Sequence, residues 1–275
     1  MNIMQSTSNL TSYGTWALVT GASEGIGRAC ALALAAAGLN VVLVARREPL
    51  LREVAQACEA LGRQARVVVL DLSLHDAAGR VEAATSDLDL GILIAAAGFG
   101  ASGAFVACER ENELSMIDVN CRSTADFAHR FGQRFARQKR GALVLFSSIV
   151  AFQGVPLSAN YAATKAYVQS LAEGLRSELQ PLGVRVIACA PGPVHTGFAT
   201  RAGMVLGNAA APELVAESLV RSLARAPGWF SVGTIRPGIL AKLLSFSLST
   251  LPRWGRIRVM TLIMRGMAQR KPLRA

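Results

Sequence analysis

Tyr161 and Lys165 stand four residues apart in the stretch Tyr161-Ala162-Ala163-Thr164-Lys165, a spacing that stacks a phenol and an ammonium on one face of a helix. The pairing has a chemical use. A phenol titrating near roughly 10 is a poor acid or base at neutral pH, and a fixed cation beside it lowers that value by favouring the phenolate. Thirteen residues before the tyrosine comes Ser148, the second of the pair Ser147-Ser148, where a hydroxyl can hydrogen-bond a substrate carbonyl. A second constellation is the loop Thr20-Gly21-Ala22-Ser23-Glu24-Gly25-Ile26-Gly27. Glycines placed between a strand and a helix let the backbone approach a pyrophosphate closely, and the free N–H groups and positive end of the helix stabilise its charge. A third is Arg46-Arg47 at the end of the next apolar run, where an enzyme using NAD would carry an acid for the ribose 2′-hydroxyl. Two guanidiniums in that place favour NADP, through forked hydrogen bonds to a 2′-phosphate. Asp71-Leu72 follows the third run, where a carboxylate meets an adenine amino group.

Positioning these groups takes alternating strands and helices. Trp16–Thr20, Val41–Ala45, Arg66–Leu70, Leu90–Ala96, Gly141–Ser147 and Arg185–Ala190 are short apolar runs, as expected of parallel strands buried on both faces. Ala- and Leu-rich helical stretches lie between them, among them Gly25–Ala37 and Pro49–Leu61, one long helix over about Glu109–Arg137 and another over about Leu157–Gln180. The order βαβαβ builds a parallel sheet with helices on both faces. No internal repeat or linker divides the chain, so it reads as a polar N-terminal tail over 1–15, one domain over 16–237 and an extension over 238–275.

Taken together, these residues resemble the short-chain dehydrogenase/reductase family, over about Trp16 to Phe198. The matching elements are TGASEGIG, Asp71, the Ala97-Gly98 of AAAGFG, Asn120 in IDVN, Ser148, YAATK and PGPVHT at 191–196. The resemblance implies an α/β fold: a Rossmann-type, doubly wound parallel sheet of about seven strands in a single domain. It implies that Tyr161 is the general acid or base, that Ser148 holds the carbonyl oxygen, that Lys165 binds the nicotinamide ribose and lowers the tyrosine pKa, and that Asn120 anchors a proton-relay water. Gly21, Ser23, Glu24, Gly25, Ile26, Gly27, Arg46, Arg47, Asp71, Leu72, Ala97 and Gly98 would contact NADP, with Pro191, Gly192, Val194 and Thr196 near the carboxamide. The overall pattern is most like hydroxysteroid and long-chain 3-oxoacyl reductases. One departure stands out: the usual Asn-Asn-Ala-Gly reads Ala95-Ala96-Ala97-Gly98, which removes an asparagine that braces neighbouring strands.

Composition narrows the alternatives. With 52% hydrophobic and 17% charged residues, the 275-residue chain is far from the disordered class. Five cysteines without a C-x-x-C spacing argue against a disulfide or zinc framework and for a reducing cytoplasm. His75 and His129 have no metal-ligand neighbours at suitable spacing, and His195 is a weaker acid-base candidate than Tyr161. The net charge of +11 is concentrated in residues 218–275, which hold eleven Lys and Arg and no acid. The rest is balanced, which argues against a nucleic-acid grip by the core fold.

Phe99, Ile149, Phe152, Val155, Pro156, Phe198 and Met204 are candidates for an apolar pocket taking a lipophilic carbonyl or alcohol, or for ordinary core. Gly238–Met267 is amphipathic and basic: it suits a membrane interface, a subunit contact in a homo-oligomer (dimer or tetramer), or a helix closing the pocket. Its apolar part is too short to span a bilayer. The expected function is hydride transfer between NADP(H) and such a substrate. The rivals are an NADP-binding sensor without catalysis and a membrane-associated adaptor.

Overall fold

The computed structural model describes residues 10–205, 207–225 and 233–268. Its strands are β1 (Trp16–Thr20), β2 (Asn40–Ala45), β3 (Ala65–Val69), β4 (Leu90–Ala95), β5 (Gly141–Phe146), β6 (Val184–Cys189) and β7 (Thr234–Ile235). All pair in parallel in one sheet of order β3-β2-β1-β4-β5-β6-β7, as the alternating pattern predicts. The resemblance implies about seven strands, and the sheet has seven; the two-residue β7 is the one that no apolar run locates, being too short to leave a periodic signal.

Successive side chains of a strand point to opposite faces, and both faces are covered. Ala17, Val19, Val41, Leu43, Ile92 and Ile94 pack with Leu34 of α1 (Gly25–Ala36), Leu51 of α2 (Glu48–Ala60) and, further along the chain, Leu219. Leu18, Val42, Val44, Leu93 and Leu143 face α3 (Ala77–Ala84) and three phenylalanines farther on. Packing begins ahead of β1, because Leu10 is already fully buried and the Tyr13 hydroxyl donates to the Leu223 carbonyl.

The expected single helix over Glu109–Arg137 is α4 (Arg110–Ile117) and α5 (Thr124–Gln138), joined by a π-helical turn at Asp118–Ser123. Such turns add a residue to the helical ladder and redirect a side chain. Here the redirected side chain is Asn120, which is buried. Beyond it, Phe127, Phe131 and Phe135 line one face of α5, the first two stacked with ring centroids 5.8 Å apart and the second two tilted at 6.3 Å. The remaining helices are α6 (Ala159–Leu179), α7 (Gly197–Ala202), α8 (Pro212–Ala224), α9 (Ile239–Ser249) and α10 (Arg253–Met267). Phe131 lies at the centre of the phenylalanine row and is fully buried, so Phe131→Ala should lower the unfolding free energy by about 3–5 kcal/mol. Urea denaturation measures this, with the m-value unchanged.

Candidate active site

The strand order reverses between β1 and β4, and ligands of open parallel sheets bind in the crevice beyond the strand ends at such a point. A cavity of about 760 Å³ opens there. Its floor is the loop after β1. Gly21 has a φ of +67°, and a Cβ there would lie 2.9 Å from the Ala97 Cα. A Cβ on Gly27 would run into the Gly21 carbonyl oxygen. The loop thus closes tightly beneath the first turn of α1, which contains no acidic residue to occupy its free N–H groups. That cradle fits a dinucleotide's phosphates.

At one end of the cavity, Arg46 lies 3.6 Å from the Asp71 carboxylate, while Arg47 pairs with Glu24 at 2.6 Å and donates to the Ser23 hydroxyl. Burial raises the Asp71 pKa, but its bonds from Ser73 and the neighbouring Arg46 prevail and hold the carboxyl below its ordinary range. Facing this end, Arg201 of α7 stacks on the Phe99 ring at 4.1 Å. Its pKa is lowered by burial and then by Arg46.

The other end carries the proposed chemistry. Ser148 follows β5 and Tyr161 lies in the first turn of α6, and a hydrogen bond with the Ser148 hydroxyl eases the Tyr161 phenol toward ionisation. Burial is the larger effect, and it pushes the phenol up to about 12. Lys165 sits one turn further along α6, behind the cavity wall. Its Nζ donates to the Phe146 carbonyl at 2.8 Å and lies 5.8 Å from the Tyr161 ring centroid. Burial lowers its pKa to about 8. The lowered phenol pKa expected from the Lys165 charge is therefore not found, since desolvation of both groups outweighs an ammonium already engaged by a backbone carbonyl.

Asn120 also lies behind the wall. Its Nδ2 donates to the Phe99 carbonyl at 2.9 Å and to the Thr164 hydroxyl at 3.0 Å, and its Oδ1 accepts from the Phe99 N–H at 3.1 Å. The side chain thus ties the loop after β4 to α6. With the Thr20 hydroxyl, which accepts from the Ala97 N–H at 3.1 Å, it supplies polar bracing where the Ala95-Ala96 pair has none.

All the other residues proposed to touch the cofactor line the cavity: Gly21, Ser23, Glu24, Gly25, Ile26, Gly27, Arg46, Arg47, Asp71, Leu72, Ala97, Gly98, Pro191, Gly192, Val194 and Thr196. Of the apolar candidates, Phe99, Ile149, Phe198 and Met204 line it too. Phe152, Val155 and Pro156 do not. The short helical turn Ile149–Phe152 aims Ile149 and Val150 at the cavity, Phe152 lies under the Arg236 guanidinium, and Val155 packs with Met260 and Met264. His195 is exposed, as are His75 and His129.

Sequence reasoning had not assigned Arg201 to the site, nor specified the residues that close it. Leu244 and Leu248 of α9, and Met260, Ile263, Met264 and Met267 of α10, form the remaining wall. The segment after α7 holds this cap in place: the Val205 N–H donates to the Met267 carbonyl at 2.8 Å, and Met204 bridges to Ala268. The three-to-four-residue spacing of those methionines was the available signal, but it did not reveal which face turns inward.

Strand order, glycine loop and the Ser–Tyr–Lys set together define a short-chain dehydrogenase, and the chain belongs to that family, whose sequence model matches residues 15–204. Among individual proteins, it is 37% identical over 185 residues to a 7beta-hydroxysteroid dehydrogenase of Clostridium sardiniense, covering 67% of this chain and 71% of that one. A structure from work on 7beta-hydroxysteroid dehydrogenase stereoselectivity matches with a TM-score of 0.81 and 29% identity, over 92% of this chain and 99% of that one. A short-chain dehydrogenase from Sphingobium yanoikuyae, solved in complex with NADPH, matches with a TM-score of 0.76 and 29% identity, over 86% and 93% of the two chains.

Lys165 links the site to stability. Its pKa is 10.5 ordinarily and about 8 in the fold, so between those values the unfolded chain binds the extra proton and stability rises with pH through this group. Below about pH 8 the buried ammonium imposes its full penalty, on the order of 3 kcal/mol. Lys165→Met removes it, at the loss of the bond to Phe146. The variant's stability relative to the parent should therefore be highest near pH 7 and fall as pH approaches 10.5. Thermal unfolding of both proteins at matched pH measures the difference.

Proposed function

We propose that the protein transfers hydride between NADP(H) and a bulky, lipophilic ketone or secondary alcohol. The observation that carries this reading is the cavity itself, in which the Ser148 and Tyr161 hydroxyls face a wall of leucine, isoleucine, methionine and phenylalanine. A site of a few convergent polar groups on apolar walls suits a large apolar ligand oriented by its carbonyl. The similarity to a 7beta-hydroxysteroid dehydrogenase supports a fused-ring or comparably bulky substrate.

NADPH supplies the hydride when bound. In the reductive direction, the Ser148 hydroxyl donates to the substrate oxygen and holds the carbonyl carbon in line, and Tyr161 delivers the proton from its Oη as charge develops there. Burial keeps the phenol protonated at neutral pH, so the proton to be delivered is in place, while its raised pKa makes it a weaker acid that the charge developing on the substrate oxygen must draw on. The Lys165 ammonium, held by Phe146 just behind the wall, would favour the phenolate that remains and would hold the ribose of a bound cofactor with its other N–H groups. Asn120 holds α6 against the loop after β4. The apolar cap excludes water from the reacting carbonyl. Arg46 and Arg47 hold the 2′-phosphate, and Thr196 and the backbone at Val194 orient the carboxamide. The reading includes a homo-oligomer, dimer or tetramer, in a reducing cytoplasm, supported by five cysteines that never take a C-x-x-C spacing.

Tyr161→Phe retains the ring and removes the proton. Turnover of a bulky ketone should fall at least about 10²–10⁴-fold, the usual range for a positioned acid, while NADPH affinity stays within about twofold. Stopped-flow reduction and fluorescence titration measure the two. For cofactor choice, NADPH should bind more tightly than NADH, and Arg46→Ala should reduce that preference more than Arg47→Ala, because Glu24 already partly neutralises Arg47 at 2.6 Å. Equal affinity of the unaltered protein for both cofactors would defeat the assignment of this strand end.

A further inference from the structure

We propose that the outer side of the α9–α10 cap is a docking surface for an anionic lipid bilayer. The two helices are apolar on both sides. While Leu244 and Leu248 wall the cavity, α9 exposes Ile239, Leu243 and Phe246 at 77%, 58% and 71%, spaced four and three residues apart. While Met260 and Met264 face the cavity, α10 exposes Trp254 at 67% and Leu262 at 69%. Arg258 and Arg265 continue the outer stripe of α10 at spacings of four and three, so cations alternate with apolar side chains along it. Lys242 and Arg253 are exposed as well, and none of these four cations forms an ion pair among the described residues.

Large apolar side chains exposed at helical spacing along each of two helices mark an interaction surface. Charge decides the partner. A second copy laid on the same face would bring cation against cation across a two-fold axis, because residues 218–275 contain no Asp or Glu. An anionic bilayer satisfies both components: the apolar side chains enter the acyl boundary and the cations meet the headgroups. The contact is peripheral, since no helix among the described residues is long and apolar enough to cross a membrane. The cap would then stand between lipid on one side and the substrate cavity on the other. The inference does not depend on which carbonyl compound the site reduces.

The test uses the full chain with NADPH and unilamellar vesicles of phosphatidylcholine, alone or mixed with phosphatidylserine. Screening shortens the reach of a surface charge from roughly 30 Å at 0.01 M salt to roughly 3 Å at 1 M, and each basic residue near an anionic surface strengthens binding about fivefold. The protein should sediment with the phosphatidylserine vesicles at low salt, with the Trp254 emission shifting to the blue, and should bind at least about tenfold less at 1 M salt or to phosphatidylcholine alone. Reversing two cations, in Arg258→Glu/Arg265→Glu, should weaken vesicle binding by more than about twentyfold. Turnover of a water-miscible ketone should be unchanged, which shows that the variant is folded. Three results would each overturn the proposal: no sedimentation with phosphatidylserine vesicles at low salt, equal binding by the double variant, or a Leu262→Ser variant that changes particle mass in light scattering while vesicle binding is unaffected.

Discussion

A lysine ammonium is buried beneath the active site, and the last carbonyl of β5 is what holds it. The hydrogen bond from Lys165 to Phe146 at 2.8 Å fixes α6 relative to the end of β5, and with it the position of Tyr161 one turn earlier. A charge in so dry a place is costly, as its pKa of about 8 records. The surrounding structure is arranged to bear that cost. Ser147 donates to the Lys165 carbonyl, and Asn120 braces the neighbouring turn of α6 through Thr164. Catalytic geometry is built into a locally destabilised interior, as is common where function and stability compete.

Around this point the cavity divides by chemistry. The β1 loop and the ends of β2 and β3 present backbone N–H groups and guanidiniums, matched to phosphate. The far wall is made of flexible methionines and leucines from α9 and α10. Methionine adapts to irregular shapes, so this wall suits a large ligand without dictating its outline. Polarity fixes orientation at one end, and apolar contact supplies affinity at the other.

Most of the polar end was legible in the sequence because its residues are close in the chain. The glycine loop, Arg46-Arg47 and Tyr161–Lys165 each fit within a few residues, and strands buried on both faces leave continuous apolar runs. What the sequence left hidden depends on three-dimensional placement. The π turn at Asp118–Ser123 interrupts a stretch whose residues are all compatible with ordinary helix, so although the IDVN motif pointed to Asn120 as a site residue, nothing revealed the turn that carries it. The phenol pKa was expected to fall and instead rises, because sequence spacing reports a neighbouring charge but not the loss of water around it. Phe152, Val155 and Pro156 have the right chemistry for a pocket, yet none of them lines it: Phe152 lies under Arg236 and Val155 packs with Met260 and Met264. The C-terminal extension was visibly amphipathic and basic, but its inward and outward apolar stripes separate only once the helices are docked.

The bridge between Met204 and Ala268 joins two regions that serve different ligands. Met204 follows α7, whose first turn is capped by the Thr196 hydroxyl, in the segment assigned to the cofactor's carboxamide. Ala268 follows α10, which walls the substrate cavity. A ligand that ordered α7 would therefore also order the cap, and two occupants would be coupled through a shared loss of motion. Such coupling is reciprocal by thermodynamic necessity: a cofactor that tightens the grip on substrate must itself be held more tightly while substrate is bound. The backbone pairing is thus a point at which occupancy of one part of the cavity can be felt in the other.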